Sequence, residues 1–277
     1  MAADSEINAR RALKREVRRD AYYWRLFVTG LSFFLFGLGA LVVGAVLLPL
    51  VRIVPAERTR KRARARAVMR GSLRLFVAQM SGSGGMTYEF RDLDRLGRPA
   101  QLIIANHPSL IDVVFLLAFT RGAGCVVKQG LWRNPFTRAA VSLAEYITND
   151  PTPVMMEAAA AALQENQTLI MFPEGTRTTP GGSFVFHRGA ASIALRAARV
   201  ITPVYIRCEP TTLTKAEPWY RIPPRRVHFS LHVGEDIDMR PYRRMGSLPQ
   251  ASRAFNEYLQ RHFQDKLVGK KGIADGE

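Results

Sequence analysis

From Leu26 to Val51 the chain carries no charged side chain, with Thr29 and Ser32 as polar interruptions. About 26 helical residues at 1.5 Å each reach roughly 39 Å, more than the ~30 Å of a bilayer's hydrocarbon core. The run exceeds the apolar region of a signal peptide, and no small-x-small cleavage site closes it before Arg52, so a membrane anchor is expected over residues 26–54. Tyr22, Tyr23 and Trp24 stand at its entrance, as interface aromatics do. Basic residues flank both ends: Arg10, Arg11, Lys14, Arg15, Arg18 and Arg19 within the polar segment 1–25, and Arg52, Arg58, Arg60, Lys61, Arg62, Arg64 and Arg66 beyond it. The positive-inside bias then gives no decisive orientation, and two arrangements stand. One is a straight spanning helix. The other, favoured, is a shallow hairpin bent near Gly37, Gly39 and Gly44, with both ends on the cytoplasmic side.

A formal net charge of +17 over 277 residues calls for an anionic partner: nucleic acid, the anionic face of a bilayer, or an acidic substrate. The basic run Arg58–Arg74 follows the apolar stretch directly and holds no aromatic residue between its charges, which favours lipid headgroups over nucleic acid. No nucleic-acid partner is expected. Val68, Leu73, Leu75, Phe76 and Val77 give this helix an apolar side, and Ser81–Gly85 reads as a flexible joint closing the segment 55–85.

From Met86 to Val268 short apolar runs near Leu102, Cys125, Tyr146, Leu169, Ile201 and Val227 alternate with helix-length segments near Val114, Ala139, Ala160, Ile193 and Phe255. That alternation predicts an α/β domain over residues 86–268, a mainly parallel sheet covered by helices, with a solvated tail over 269–277. The two cysteines, Cys125 and Cys208, lie in apolar runs without metal-ligand spacing and read as buried free thiols, consistent with a reducing compartment. His228 and His232 alternate along a strand with no acidic or thiol partner at ligand spacing, so no metal site is expected.

Two motifs fall where strands end. Asn106-His107-Pro108-Ser109-Leu110-Ile111-Asp112 places an imidazole and a carboxylate five residues apart between the strand at Leu102 and a helix from Leu110 to Thr120. Ser109 and Asp112 match a capping box, and Asp112 is within reach of one imidazole nitrogen, leaving the other free as a base. Taken alone, this spacing favours a plain helix cap over a catalytic dyad. Phe172-Pro173-Glu174-Gly175-Thr176-Arg177 then joins a turn, a carboxylate and a guanidinium after the strand at Leu169. In a parallel sheet both motifs lie at the carboxyl ends of strands, where ligands gather.

Together these blocks resemble the glycerolipid acyltransferase family, of which the 1-acyl-glycerol-3-phosphate acyltransferases are the best-known members. The resemblance runs from roughly Leu102 to Arg207 and includes F-x-x-G-A at Phe186–Ala190 and V-x-x-P-V at Val200–Val204. It implies transfer of a fatty acyl group from acyl-CoA or acyl carrier protein, as cosubstrate and with no bound cofactor, to the hydroxyl of lysophosphatidic acid to give phosphatidic acid. His107 is then the general base and Asp112 its orienting partner. Glu174, Gly175, Thr176 and Arg177 form the acceptor site, and Lys128 matches a family lysine that joins the arginine at the acceptor phosphate. Where many relatives carry G-x-x-F-I-D-R, this chain has Ala144–Asp150, an acid in place of the final arginine. The phosphate is therefore held by Lys128 and Arg177 alone, or the acceptor is another hydroxylated lipid such as an amino-acid lipid or a glycolipid. A non-catalytic membrane-binding protein is the rival from another class. Expected partners are membrane lipids with anionic headgroups and the acyl donor, and the expected location is the cytoplasmic face of the cell membrane.

Overall fold

The computed structural model describes residues 21–149, 153–179, 182, 184–215 and 217–268. The basic cluster Arg10–Arg19, Asp150 and the tail 269–277 lie outside the described residues.

The apolar stretch forms one 32-residue helix, α1 (Tyr22–Ile53), long and apolar enough to cross a membrane. A π-helical turn interrupts it at Val43–Leu47. The hairpin expected at Gly37, Gly39 and Gly44 is absent from this segment. The chain reverses instead at Val54–Glu57, where Pro55 lacks an N–H and disfavours helical backbone at Val54, which is extended (ψ 118°). Helix α2 (Arg58–Gly82) then runs back beside α1, with Phe33 and Phe36 meeting Phe76 at ring-centroid distances of 6.4 and 5.0 Å.

The basic face of α2 is also corrected. Arg62 and Arg66 are buried and turn toward the domain rather than toward lipid headgroups. Arg58 and Arg62 bond Glu145, Arg62 reaches Glu165, and Arg66 donates to Gln167 Oε1 and the carbonyls of Gly122 and Ala144 at 2.8–2.9 Å. Arg60, Arg64 and Arg74 stay exposed, Arg74 over the ring of Phe119. Nor is Ser81–Gly85 an open joint. The helix continues through Gly82, Gly84 takes a positive φ of 82°, and Gly85 N–H donates to Met80 O at 2.9 Å, delivering a buried Met86 to the sheet.

The sheet comprises β1 (Met86–Arg91), β2 (Gln101–Ala105), β3 (Gly124–Val127), β4 (Ile147–Thr148), β5 (Leu169–Met171), β6 (Val200–Glu209) and β7 (Val227–Val233), in the order β1-β7-β6-β2-β5-β3-β4. Strands β6, β2, β5, β3 and β4 are parallel. β7 pairs antiparallel with β6, and β1 parallel with β7. The sheet is thus mainly parallel as expected, with an unforeseen edge strand at β1, whose polar pattern Met86-Thr87-Tyr88-Glu89-Phe90-Arg91 gives no continuous apolar run.

Helices cover both faces. Ile103 and Ala105 of β2 face one core with Leu73, Phe76 and Val77 of α2 and Phe115 of α3 (Asp112–Phe119). Leu102 and Ile104 face the other with α6 (Pro153–Gln164), α7 (Gly189–Ala197) and α9 (Leu248–Val268). Burial on both sides is why β2 reads as an unbroken apolar run. The short helices α4 (Gly130–Arg133), α5 (Pro135–Leu143) and α8 (Arg240–Arg243) complete the covering. Cys125 and Cys208 are buried free thiols. His228 bonds Thr87, and His232 faces Asp92.

Candidate active site

β2 and β5 are parallel neighbours in register, Ile104 beside Met171, so the segments that follow them, Asn106–Asp112 and Phe172–Arg177, leave the same sheet end side by side. Asn106 extends the β2–β6 ladder with its side chain. Its Nδ2 donates to Ile206 O and its Oδ1 accepts from Ile206 N–H, both at 2.8 Å, replacing the backbone pairing the turn gives up.

His107 follows with its backbone held on both sides. Its carbonyl accepts from Thr178 N–H at 2.7 Å, and its N–H is shared between Glu174 Oε1 and Thr178 Oγ1, each at 3.1 Å. The imidazole stacks on Phe172, ring centroids 4.3 Å apart and planes 26° from parallel. Its Nδ1 lies 2.9 Å from Asp112 Oδ2, and among the described residues Nε2 has no hydrogen-bond partner.

Asp112 is fully buried, and the same Oδ2 accepts Ser109 N–H at 2.6 Å. An oxygen already accepting so short a bond from a backbone N–H must accept from the imidazole as well, which assigns the proton to Nδ1 and leaves Nε2 as the base. Burial pushes the Asp112 carboxyl above the usual carboxylate range, against the hydrogen bonds from His107 and Ser109. A proton taken up there would fall to Oδ1, which has no partner among the described residues, so the histidine tautomer is the same in either state. Only half of the expected capping box forms: Asp112 reaches back to Ser109 N–H, but Ser109 Oγ is buried without a partner and the helix begins at Asp112 rather than Leu110.

The acceptor-site residues separate. Glu174 is buried and positions the His107 backbone, with Thr178 Oγ1 donating to it at 2.6 Å; burial raises its carboxyl against the bonds from Thr178 and His107. Gly175 has φ 64°, a backbone conformation that favours glycine, and an added Cβ would press on the His187 ring at 3.2 Å. His187 N–H donates to Pro173 O at 2.8 Å, bringing the F-x-x-G-A block against this turn. Thr176 is partly exposed in the same turn. Arg177 uses Nη1 to donate to the carbonyls of Leu213 and Thr214 at 2.8 and 2.9 Å, tying the turn to the loop after β6. Lys128 is exposed after β3, two strands from β2, and shares no hydrogen bond with this cluster among the described residues.

The chain matches the model of the Acyltransferase family over residues 88–207. It is 28% identical over 182 residues to the 1-acyl-sn-glycerol-3-phosphate acyltransferase of Pseudomonas aeruginosa, covering 64% of this chain and 69% of that protein. It is 32% identical over 114 residues to the Helicobacter pylori enzyme of the same name, covering 39% and 48%. The crystal structure of the 1-acyl-sn-glycerophosphate (LPA) acyltransferase PlsC from Thermotoga maritima superposes with a TM-score of 0.66 at 18% identity, over 87% of this chain and 95% of that one, and shares the fold. The match over residues 88–207, these relatives and the shared fold together support the glycerolipid acyltransferase family for this chain.

The relatives are named 1-acyl-sn-glycerol-3-phosphate acyltransferases, which are O-acyltransferases, and this chain holds its N-H-x-x-x-x-D and F-P-E-G-T-R blocks as one bonded unit. Thr178, one residue past the second block, and Phe172 are contacts the sequence reading missed. Thr178 is polar and adjacent to a motif, but nothing in its spacing announces a bond to a residue 71 positions earlier. Thr178→Val is expected to lower kcat about five- to tenfold, the loss of roughly 1 kcal/mol from one hydrogen bond, with KM little changed. Thr178→Ser should recover most of it, as steady-state kinetics on the two variants will report.

Proposed function

We propose that this chain moves a fatty acyl group from an acyl thioester, carried by coenzyme A or acyl carrier protein, to the hydroxyl of 1-acyl-glycerol-3-phosphate in phospholipid biosynthesis. The reading rests on one observation: an imidazole oriented through Nδ1 by a buried carboxylate, with Nε2 unbonded among the described residues, beside the F-P-E-G-T-R turn. Nε2 takes the acceptor's hydroxyl proton as its oxygen attacks the thioester carbonyl carbon. The tetrahedral adduct collapses, the C–S bond breaks, and the imidazolium returns the proton to the leaving thiolate. The thioester is already activated, so positioning and proton transfer carry the reaction without a covalent enzyme intermediate.

In this reading Thr176 and the donors of Arg177 other than Nη1 meet the acceptor with Lys128. Membrane anchoring is part of the same proposal. α1 rests on α2 and α5 at Val43 and Leu48 and leaves Phe27, Phe34, Leu38 and Leu50 exposed on its other side, a face for lipid on the cytoplasmic side of the membrane.

A second acceptor class is favoured by two observations: the carbonyls that occupy Arg177 Nη1, and the acid at position 150. The deciding experiment offers labelled acyl-CoA and acyl carrier protein donors separately against lysophosphatidic acid and against lysolipids lacking a phosphate. Phosphatidic acid is the expected product. Transfer only to phosphate-free acceptors would move the reading to the second class, and transfer to none would remove it.

A further inference from the structure

The loop between β6 and β7 carries Trp219-Tyr220-Arg221-Ile222-Pro223-Pro224-Arg225-Arg226, a run the acyl-transfer chemistry does not use. Trp219 and Tyr220 are 47% and 60% exposed, large amphipathic rings at the surface of a folded domain. Trp219 lies over Gly30 of α1, where an added Cβ would meet its ring at 3.2 Å, and packs on Phe33 at 6.3 Å, so the loop's aromatic tip is continuous with α1. Arg25 of α1 fastens the other end of the run, donating to the carbonyls of Pro223, Pro224 and Arg225. Arg221 and Arg226 are exposed, as is Lys215, while the loop's acid, Glu217, is engaged by Thr214. Trp and Tyr rings beside arginines are the chemistry of a headgroup layer, where the rings sit at the apolar boundary and the cations meet phosphate.

We propose that Trp219–Arg226 is a second membrane contact, seated at headgroup level on an anionic leaflet alongside α1. The proposal rests on the membrane reading of α1, and its charge complement is the lipid phosphate. Because Leu213 of the same loop accepts from both Arg177 and Leu110 N–H, this contact is joined by backbone to the segment that carries His107.

The chain's three tryptophans make the test direct. The full chain with Trp24→Phe and Trp132→Phe reports Trp219 alone, and with Trp132→Phe and Trp219→Phe it reports Trp24 alone. Each is reconstituted into vesicles whose phospholipids carry bromine at shallow or deep acyl positions, with either zwitterionic or anionic headgroups. Trp219 fluorescence is expected to be quenched by shallow bromine, more in anionic than in zwitterionic vesicles, and that difference is expected to disappear on adding Arg221→Gln and Arg226→Gln. Quenching of Trp24 without quenching of Trp219 would overturn the loop contact while leaving the α1 reading standing. Quenching of neither would remove both. Trp219 quenching that ignores headgroup charge would overturn the anionic assignment. An unquenched Trp219, with the arginine variant losing transfer from acyl carrier protein but not from acyl-CoA, would give the patch to an acidic protein instead.

Discussion

His107→Ala is expected to lower acyl transfer by about 10²- to 10⁴-fold, the contribution of a positioned general base. The fold should survive, because the cluster is anchored mainly through backbone and other side chains: Asn106 holds Ile206, and Glu174 and Thr178 hold the His107 peptide rather than its ring. The ring's own contacts are the Phe172 stack and the Asp112 bond, and the substitution leaves Asp112 bonded to Ser109. The measurement is single-turnover transfer with labelled donor, next to circular dichroism and thermal unfolding of the same sample. A folded His107→Ala protein that kept most of its turnover would remove the general-base assignment. Asp112→Asn sharpens the comparison, since an amide oxygen can still accept Ser109 N–H and Nδ1–H but no longer stabilises the imidazolium.

The largest expected loss of stability belongs to Arg66. Its guanidinium bonds Ala144 O, Gly122 O and Gln167 Oε1 from a buried position, and burial pulls it down to about 10, still charged through the neutral range. Arg66→Met would leave those neutral acceptors facing an apolar chain, with a loss of about 3–5 kcal/mol summed over three acceptors left without a donor at roughly 1–3 kcal/mol each. Denaturant unfolding in detergent reads this directly. Arg66→Lys is expected to recover only part, because one ammonium cannot serve carbonyls spread around a planar fork. Gly124 sets a matching constraint from the other side: a Cβ there would fall 2.8 Å from Arg66 Nη2, so Gly124→Ala must displace the guanidinium. Full stability in Arg66→Met would mean that the apolar side of α2 and the Arg58 and Arg62 bonds hold it without this guanidinium.

What the sequence made legible follows from how local each signal is. β2, β5 and β6 are apolar on both faces and stand out as runs, whereas β1 alternates polar and apolar residues at the sheet's edge and does not. The His107–Asp112 pair was readable because five residues and one turn connect them. The His107 peptide that Glu174 holds and the carbonyls that Arg177 holds were not, because they are backbone atoms reached through the sheet order, and a motif states residue types without saying which peptide group each will face. Charge was the least legible. Arg62 and Arg66 sit in a run that reads as solvated, yet Glu145, Glu165 and Gln167 draw them inward, and those partners lie 79 or more positions along the chain.

The turn that bears His107 is completed by Ile206, through the Asn106 amide, and by Leu213, through Leu110 N–H. A chain leaving the ribosome therefore exposes α1 and finishes α2 long before β6 exists to receive Asn106. Closing loops of about a hundred residues is the slow part of folding, and it comes last. Catalytic competence therefore waits for β6 and the loop after it, and no nascent fragment ending before β6 can carry a working site.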